Sequence, residues 1–316
     1  MGLLQIVKSG VVEGNKLEKV FEYCKKNNFA MPSVKVINTE SINVALESAS
    51  NSNSAIIIQL NYENAKLFSG KIQKGDSSLL GANLVSNHLH TLSSYYKIPV
   101  ILSTDYVSNN ELHWIDDLIE RSIEYYKEKN IALFSSLAID ISKDSFIDGI
   151  KIAKKYLKRV SKVGMALDIK MAFNYNDDEC YLMYEELQKI SKNFTLSFRY
   201  LDEEMDEKKD ILAQLQKKIQ KKFKTNSKPL NLVVDGDYCT KKEIREIINT
   251  GVVKVNLDNE IKDAFRDAID NFTQTNQENK ILGTYIEPTK YLREIQKITI
   301  KKLNSSIKEY NAKNTI

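Results

Sequence analysis

Residues 98–106 read Ile-Pro-Val-Ile-Leu-Ser-Thr-Asp-Tyr, and the fold turns on what surrounds them. Pro99–Leu102 is short, apolar and β-branched, the composition of a strand buried on both faces. Soon after it a helical pattern begins, Glu111–Glu128, with Leu112, Ile115, Leu118, Ile119 and Ile123 on one face. The same unit recurs in both directions. Upstream lie Val34–Ile37 and Ala55–Gln59; downstream lie Leu133–Leu137, Met165–Ile169, Phe194–Phe198, Leu230–Val234 and Val252–Val255. Successive starts are about 20 to 45 residues apart, enough for a right-handed crossover helix each time. Eight such units predict an α/β fold of the (β/α)8 TIM-barrel type, although a doubly wound open sheet shares this periodicity.

The intervening helices have readable stripes. Asn15–Lys26 carries Leu17, Val20, Phe21 and Cys24; the next opens at Glu40–Ser41; Asp144–Lys158 carries Phe146, Ile150, Ala153 and Leu157. Glu203–Lys224 is heavily charged but keeps Ile211, Leu215, Ile219 and Phe223 four apart, which suits a solvated outer helix better than a membrane-surface one. A C-terminal helical extension, from about residue 285 to 316, has Leu292, Ile295, Ile298 and Leu303 as its stripe between Pro288 and Tyr310. One domain spanning 1–316 is expected.

Composition narrows the function classes. A net charge of +4 spread along the chain gives no footprint for nucleic acid. The longest purely apolar run is too short for a membrane span. Cys24, Cys180 and Cys239 are far apart and odd in number, so a disulfide framework is not expected and a reducing compartment is. The N-terminal residues have neither a cleavable hydrophobic region nor an Arg-rich presequence.

Several runs, in order along nearly the whole chain, resemble the class II, zinc-dependent fructose-bisphosphate aldolases. They include GVVEGNKLEKVFEYCKKNNFAMPSV, NTESINVALESAS, IPVILSTDY, ELHWIDDLI, LFSSLAIDIS, KYLKRVSKVGMALDI, GVVKVNLDNE and EPTKYLREIQKITIKKL. The resemblance implies a TIM barrel, usually dimeric, that cleaves a ketose bisphosphate. A zinc ion polarises the ketone, an Asp handles the C4 hydroxyl proton, and Gly-rich backbone holds a phosphate.

Carried over residue by residue, the resemblance gives a mixed site. Asp105 matches the proton-handling Asp, and Asn256 and Asp258 match substrate-binding positions; Asp140 also matches. Tyr106 and Asp235 stand where the family has zinc-binding His, so both are degenerate metal positions. The third His segment aligns loosely with Tyr200–Glu203, which has no His. Asp168-Ile169-Lys170 puts Lys at a family Glu, the glycine-rich loop after it is cut to Ala172–Asp178, Lys35 replaces an Asn, and Thr289 replaces a tail Arg. The phosphate-cradling glycines reduce to Gly236.

Zinc needs about three protein ligands in a catalytic site. His88 and His90 lie two apart on one predicted helix and point about 200° apart; with His113 they read as satisfied structural histidines. No metal and no other cofactor is therefore expected. An Mg²⁺ or Ca²⁺ site from Asp105, Asp168 and Asp235 is the weaker alternative, because Lys35 and Lys170 enter the same mouth. Those lysines are expected to balance Asp105 and Asp235, with a Schiff-base role as the competing idea; Lys35 and Arg199 are the positive charges left for a phosphate. The sequence thus reads as a catalytically inactive member serving as a structural or interaction subunit. It would be a homodimer or part of a larger assembly, in the cytoplasm, without nucleic acid or a membrane span. The alternatives are a divergent aldolase or sugar-phosphate lyase with a rebuilt site, and a non-catalytic sugar-phosphate binder.

Overall fold

A computed structural model describes residues 2–70, 74–172, 177–199, 205–225, 228–275 and 287–316, the side chains at 177, 198, 199, 205–209, 211, 238, 260 and 275 excepted. The strands are β1 (Gly10–Val11), β2 (Met31–Lys35), β3 (Ile56–Leu60), β4 (Pro99–Thr104), β5 (Ser136–Asp140), β6 (Ala166–Ala172), β7 (Phe194–Arg199), β8 (Leu232–Asp235) and β9 (Val252–Leu257). All pair in parallel. Strands β2 to β9 follow one another around the sheet, β2 pairs with β9, and β4 meets β5 at Ser103–Ser136, so the sheet closes into an eight-stranded barrel. Closure excludes the open-sheet alternative.

The helices are α1 (Leu17–Asn27), α2 (Thr39–Asn51), α3 (Tyr62–Ser69), α4 (Ser77–Leu92), α5 (Leu112–Lys129), α6 (Phe146–Ser161), α7 (Asp177–Gln188), α8 (Met205–Phe223), α9 (Lys241–Ile248), α10 (Asn259–Thr275) and α11 (Pro288–Glu309). Capping sets several of the starts. Asn38 and Ser41 form a reciprocal capping box at α2, so this helix opens just before the expected Glu40. Ser145 accepts from the Asp148 amide and starts α6 after the expected Asp144. The charged helix α8 buries Leu212, Leu215 and Ile219 and sits outside the barrel as expected.

Three readings need correction. The strand expected at Leu133–Leu137 runs from Ser136 to Asp140. Leu133 is buried, but its carbonyl accepts from Ser86 Oγ at 2.9 Å and lies 3.1 Å from His90 Nε2, a tie to α4 instead of a place in the strand. A ninth strand escaped notice: β1, two residues long, pairs with β4 at Gly10–Pro99, with Gly10 at φ 108°, where other residues are strained. On α11 the buried stripe is Ile295, Thr299, Leu303 and Ile307, while Leu292 and Ile298 face outward. That stripe packs the tail against the body, and Arg293 grips Glu47 of α2 with two bonds of 2.6 and 2.7 Å.

Candidate functional site at the barrel mouth

The carboxyl ends of the strands surround a cavity of about 380 Å³. Lys35 ends β2, Gln59 comes from β3, Asp105 and Tyr106 follow β4, Asp140 ends β5, Lys170 comes from β6, Asp235 ends β8, and Asn256 and Asp258 come from β9 and its end. Parallel strands of nearly equal length leave the barrel at one level, so residues far apart in sequence converge there. Every candidate named from the sequence on these strand ends is in the lining except Asp168, whose side chain lies deeper, 4% exposed, and Gly236, which lines a neighbouring hollow.

Asp105, Asp258, Asp235 and Asp168 each meet an ammonium, whereas Asp140 accepts from the Ser142 amide at 2.8 Å. Lys35 Nζ lies 2.8 Å from Asp105 and 2.8 Å from Asp258. Burial alone would depress this lysine, but Asp105 and Asp258 outweigh it and hold it above its ordinary value. Asp258 also meets Lys262 at 2.6 Å, and the two lysines overcome its burial and keep it below the usual carboxylate range. Lys170 Nζ lies 3.5 Å from Asp235, whose other oxygen accepts from Asn256 at 2.9 Å. The expected balance of Lys35 and Lys170 against Asp105 and Asp235 is what the side chains form.

Beneath this layer sits a pairing that sequence reasoning missed. Lys254 Nζ lies 2.6 Å from Asp168 Oδ2, while Tyr106 donates its hydroxyl to Asp168 Oδ1 at 2.9 Å. Burial, with Asp168 and Asp235 nearby, pushes the Tyr106 phenol well above its ordinary value, so it is neutral across the physiological range. The Lys170 and Lys254 ammoniums stand 5.1 and 5.6 Å from the centre of its ring. The signal for Lys254 was present: one Lys inside the otherwise apolar Val252–Val255 run.

The Mg²⁺ or Ca²⁺ alternative fares poorly on this geometry, since Asp105, Asp168 and Asp235 each engage a different lysine. Among the described residues no three His, Cys, Asp or Glu side chains are placed to hold a metal ion together. His90 is tied to Leu133 O, and His113 meets the Tyr62 ring edge-on at 5.7 Å. His88 corrects the expectation of satisfied histidines: its Nε2 is buried without a partner. Cys239 lines a neighbouring hollow with Gly236 instead of the mouth. Thr289 is exposed in the first turn of α11. Tyr200–Glu203, residues 173–176 of the shortened loop and the Arg199 side chain lie outside the described residues.

The mouth thus keeps an Asp105–Asn256–Asp258 set at the ends of β4 and β9. Residues 15–173 and 201–315 match the family described as fructose-bisphosphate aldolase class-II. The chain belongs to the class II fructose-bisphosphate aldolase family. It is 34% identical to the class 2 fructose-bisphosphate aldolase of Buchnera aphidicola from Schizaphis graminum, over the full length of both. The Escherichia coli K12 class 2 enzyme is 31% identical, with 98% of each chain covered. The crystal structure of the Campylobacter jejuni fructose-bisphosphate aldolase superposes with a TM-score of 0.94 at 32% identity, covering 100% of this chain and 99% of that one. The YdjI aldolase of Escherichia coli K12, at 15% identity and a TM-score of 0.68, shares the fold. The Buchnera alignment spans 359 positions, more than this 316-residue chain can fill, so that relative has segments without a counterpart here.

Proposed function

We propose that this chain is a non-catalytic member of its family, used as a structural or interaction subunit, and that its mouth takes no zinc. The observation that carries this reading is the state of the two positions matching zinc ligands. Tyr106 offers a neutral phenol already donating to Asp168, and Asp235 is engaged by Lys170 and Asn256. A zinc site wants anionic or imidazole donors with nothing cationic among them. Here two ammoniums flank the Tyr106 ring, and one of them also meets Asp235. Asp105, the match to the proton-handling residue, sits 2.8 Å from Lys35, so its carboxylate is already engaged by an ammonium. A homodimer and a cytoplasmic setting belong to the proposal through family resemblance alone.

The test pairs metal content with turnover. Protein purified without chelator is expected to carry only trace zinc and to leave fructose 1,6-bisphosphate uncleaved when zinc is added. Stoichiometric zinc together with zinc-dependent cleavage would defeat the reading. The rebuilt-lyase alternative through a Schiff base requires a free amine, whereas Lys35 is held protonated by its two carboxylates. Borohydride trapping of a sugar phosphate on Lys35 or Lys170 is the outcome that would restore it.

One observation favours a second reading, binding without turnover. Gln59 Nε2 and Asn256 Oδ1 are buried without partners, and both residues line the cavity. Unpartnered buried polar atoms are costly and suit a polar ligand. A thermal-shift series with sugar phosphates separates the two readings: stabilisation supports the binder, and a flat series leaves the interaction role.

A further inference from the structure

On the outside of the barrel, between α6 and α7, lies a trough of about 1040 Å³ that shares no lining residue with the mouth. Its apolar floor comes from Ile150, Leu182 and Ile190, and Leu182 is 41% exposed. Its walls carry six lysines and one glutamate. That glutamate, Glu186, is already taken by Lys154 and Lys189. Lys155 and Lys158 of α6 and Lys162 at its C-cap have no carboxylate partner among the described residues and stand exposed. Ile147, 63% exposed, extends the apolar surface one turn further along the same helix.

We propose that this trough is a docking site for an acidic amphipathic helix of a partner protein. An apolar floor between two basic walls is complementary to a helix with one apolar stripe flanked by carboxylates. The concavity argues against a flat anionic membrane, which would leave the floor unfilled. The lining contains neither an aromatic ring nor an arginine, the residues that stack on bases and grip phosphates in a fork. Lysine carries a four-carbon apolar stem below its ammonium, so such walls offer contact area as well as charge. The proposal goes beyond the reading of the mouth, because an active barrel would carry the same trough, and either can fail without the other.

The test uses the full chain and a fluorescein-labelled two-heptad helical peptide, with Leu at the a and d positions and Glu at e and g. The matched control carries Lys at e and g. Fluorescence anisotropy is expected to give saturable binding of the acidic peptide alone, weakened about tenfold or more by raising salt from about 0.05 to 0.5 M. Lys155→Glu/Lys158→Glu/Lys162→Glu is expected to cost at least about tenfold, and Leu182→Ser several-fold. Circular dichroism should be unchanged in both, since all four side chains are exposed. Equal binding of the two peptides, or binding indifferent to both variants, overturns the proposal. So does stronger retention on phosphatidylserine vesicles or a single-stranded oligonucleotide. Self-association in sedimentation that the same variants abolish also overturns it, because a second copy would then fill the trough.

Discussion

Lys254 and Asp168 form an ion pair of 2.6 Å inside the barrel, each side chain 4% exposed. These two deep charges are held by one another, by the Tyr106 hydroxyl on the second carboxylate oxygen and by the Tyr106 ring 5.6 Å from the ammonium. Removing one partner strands the other in a low-dielectric interior, at a cost of about 3–5 kcal/mol, whereas removing both together is far milder. Lys254→Met is therefore expected to lower the urea-denaturation stability by about that amount. Lys254→Met/Asp168→Asn is expected to recover much of the loss. Equal losses in the single and double variants would mean that the pair is not the organising contact.

The fold was legible because strands buried on both faces are continuous apolar runs, and eight of them stood out. The misses have physical causes. Leu133 and Phe134 are as buried as strand residues, but hydropathy cannot report that the Leu133 carbonyl turns to α4. Gly10–Val11 is too short to carry a period. At the mouth, Asp105, Asn256 and Asp258 were found through their match to family motifs, and Tyr106, Asp235, Lys35 and Lys170 through their departures from them. Gln59 and Lys254 were not found, because a strand sequence does not say which of its two faces turns into the barrel.

If lysine placement is what makes the mouth inhospitable to zinc, reversing it should restore affinity. Lys170 lies between Asp235, at 3.5 Å, and the Tyr106 ring, at 5.1 Å from its centre. The double variant Lys170→Glu/Tyr106→His would therefore place an imidazole and a second carboxylate around Asp235, three donors in all. Zinc is expected to raise its melting temperature, reaching about 2.7 kcal/mol of stabilisation at a free concentration 100-fold above Kd. The unmodified chain should show no such rise. No response from the double variant would place the obstacle elsewhere in the barrel.

Stability should fall on both sides of a neutral plateau. Burial depresses His90 and His88 below the ordinary 6.5. The unfolded chain therefore binds more protons as pH drops through about 6.5, and stability declines. Asp258, lowered by Lys262 and Lys35 against its burial, contributes stability above the ordinary 3.8 that is lost as pH falls through its folded value. Lys35, raised, contributes stability that is complete below 10.5 and lost only as pH rises through its folded value. Melting temperature against pH should thus begin to decline near pH 6.5, and His90→Gln should flatten that first step. A profile level down to pH 5 in the unmodified protein would contradict the histidine assignment.

Gly81 tests how closely α3 and α4 are packed. A Cβ built there would lie 1.7 Å from the Ala65 carbonyl oxygen, and backbone cannot swing aside as a flexible side chain can. Two effects of opposite sign meet in Gly81→Ala. Helix propensity favours alanine by about 1 kcal/mol in the interior of α4. Overpacking typically costs about 1–3 kcal/mol, and a collision this deep with backbone belongs at or beyond the upper end. The clash wins, so Gly81→Ala is expected to destabilise by about 2 kcal/mol or more in urea denaturation. A gain in stability would show that the two helices separate more readily than their contact implies. His90, on the same helix, reaches Leu133 O ahead of β5. Displacement of α4 should therefore also disturb that bond, and the acid step assigned to His90 should weaken in the Gly81→Ala protein.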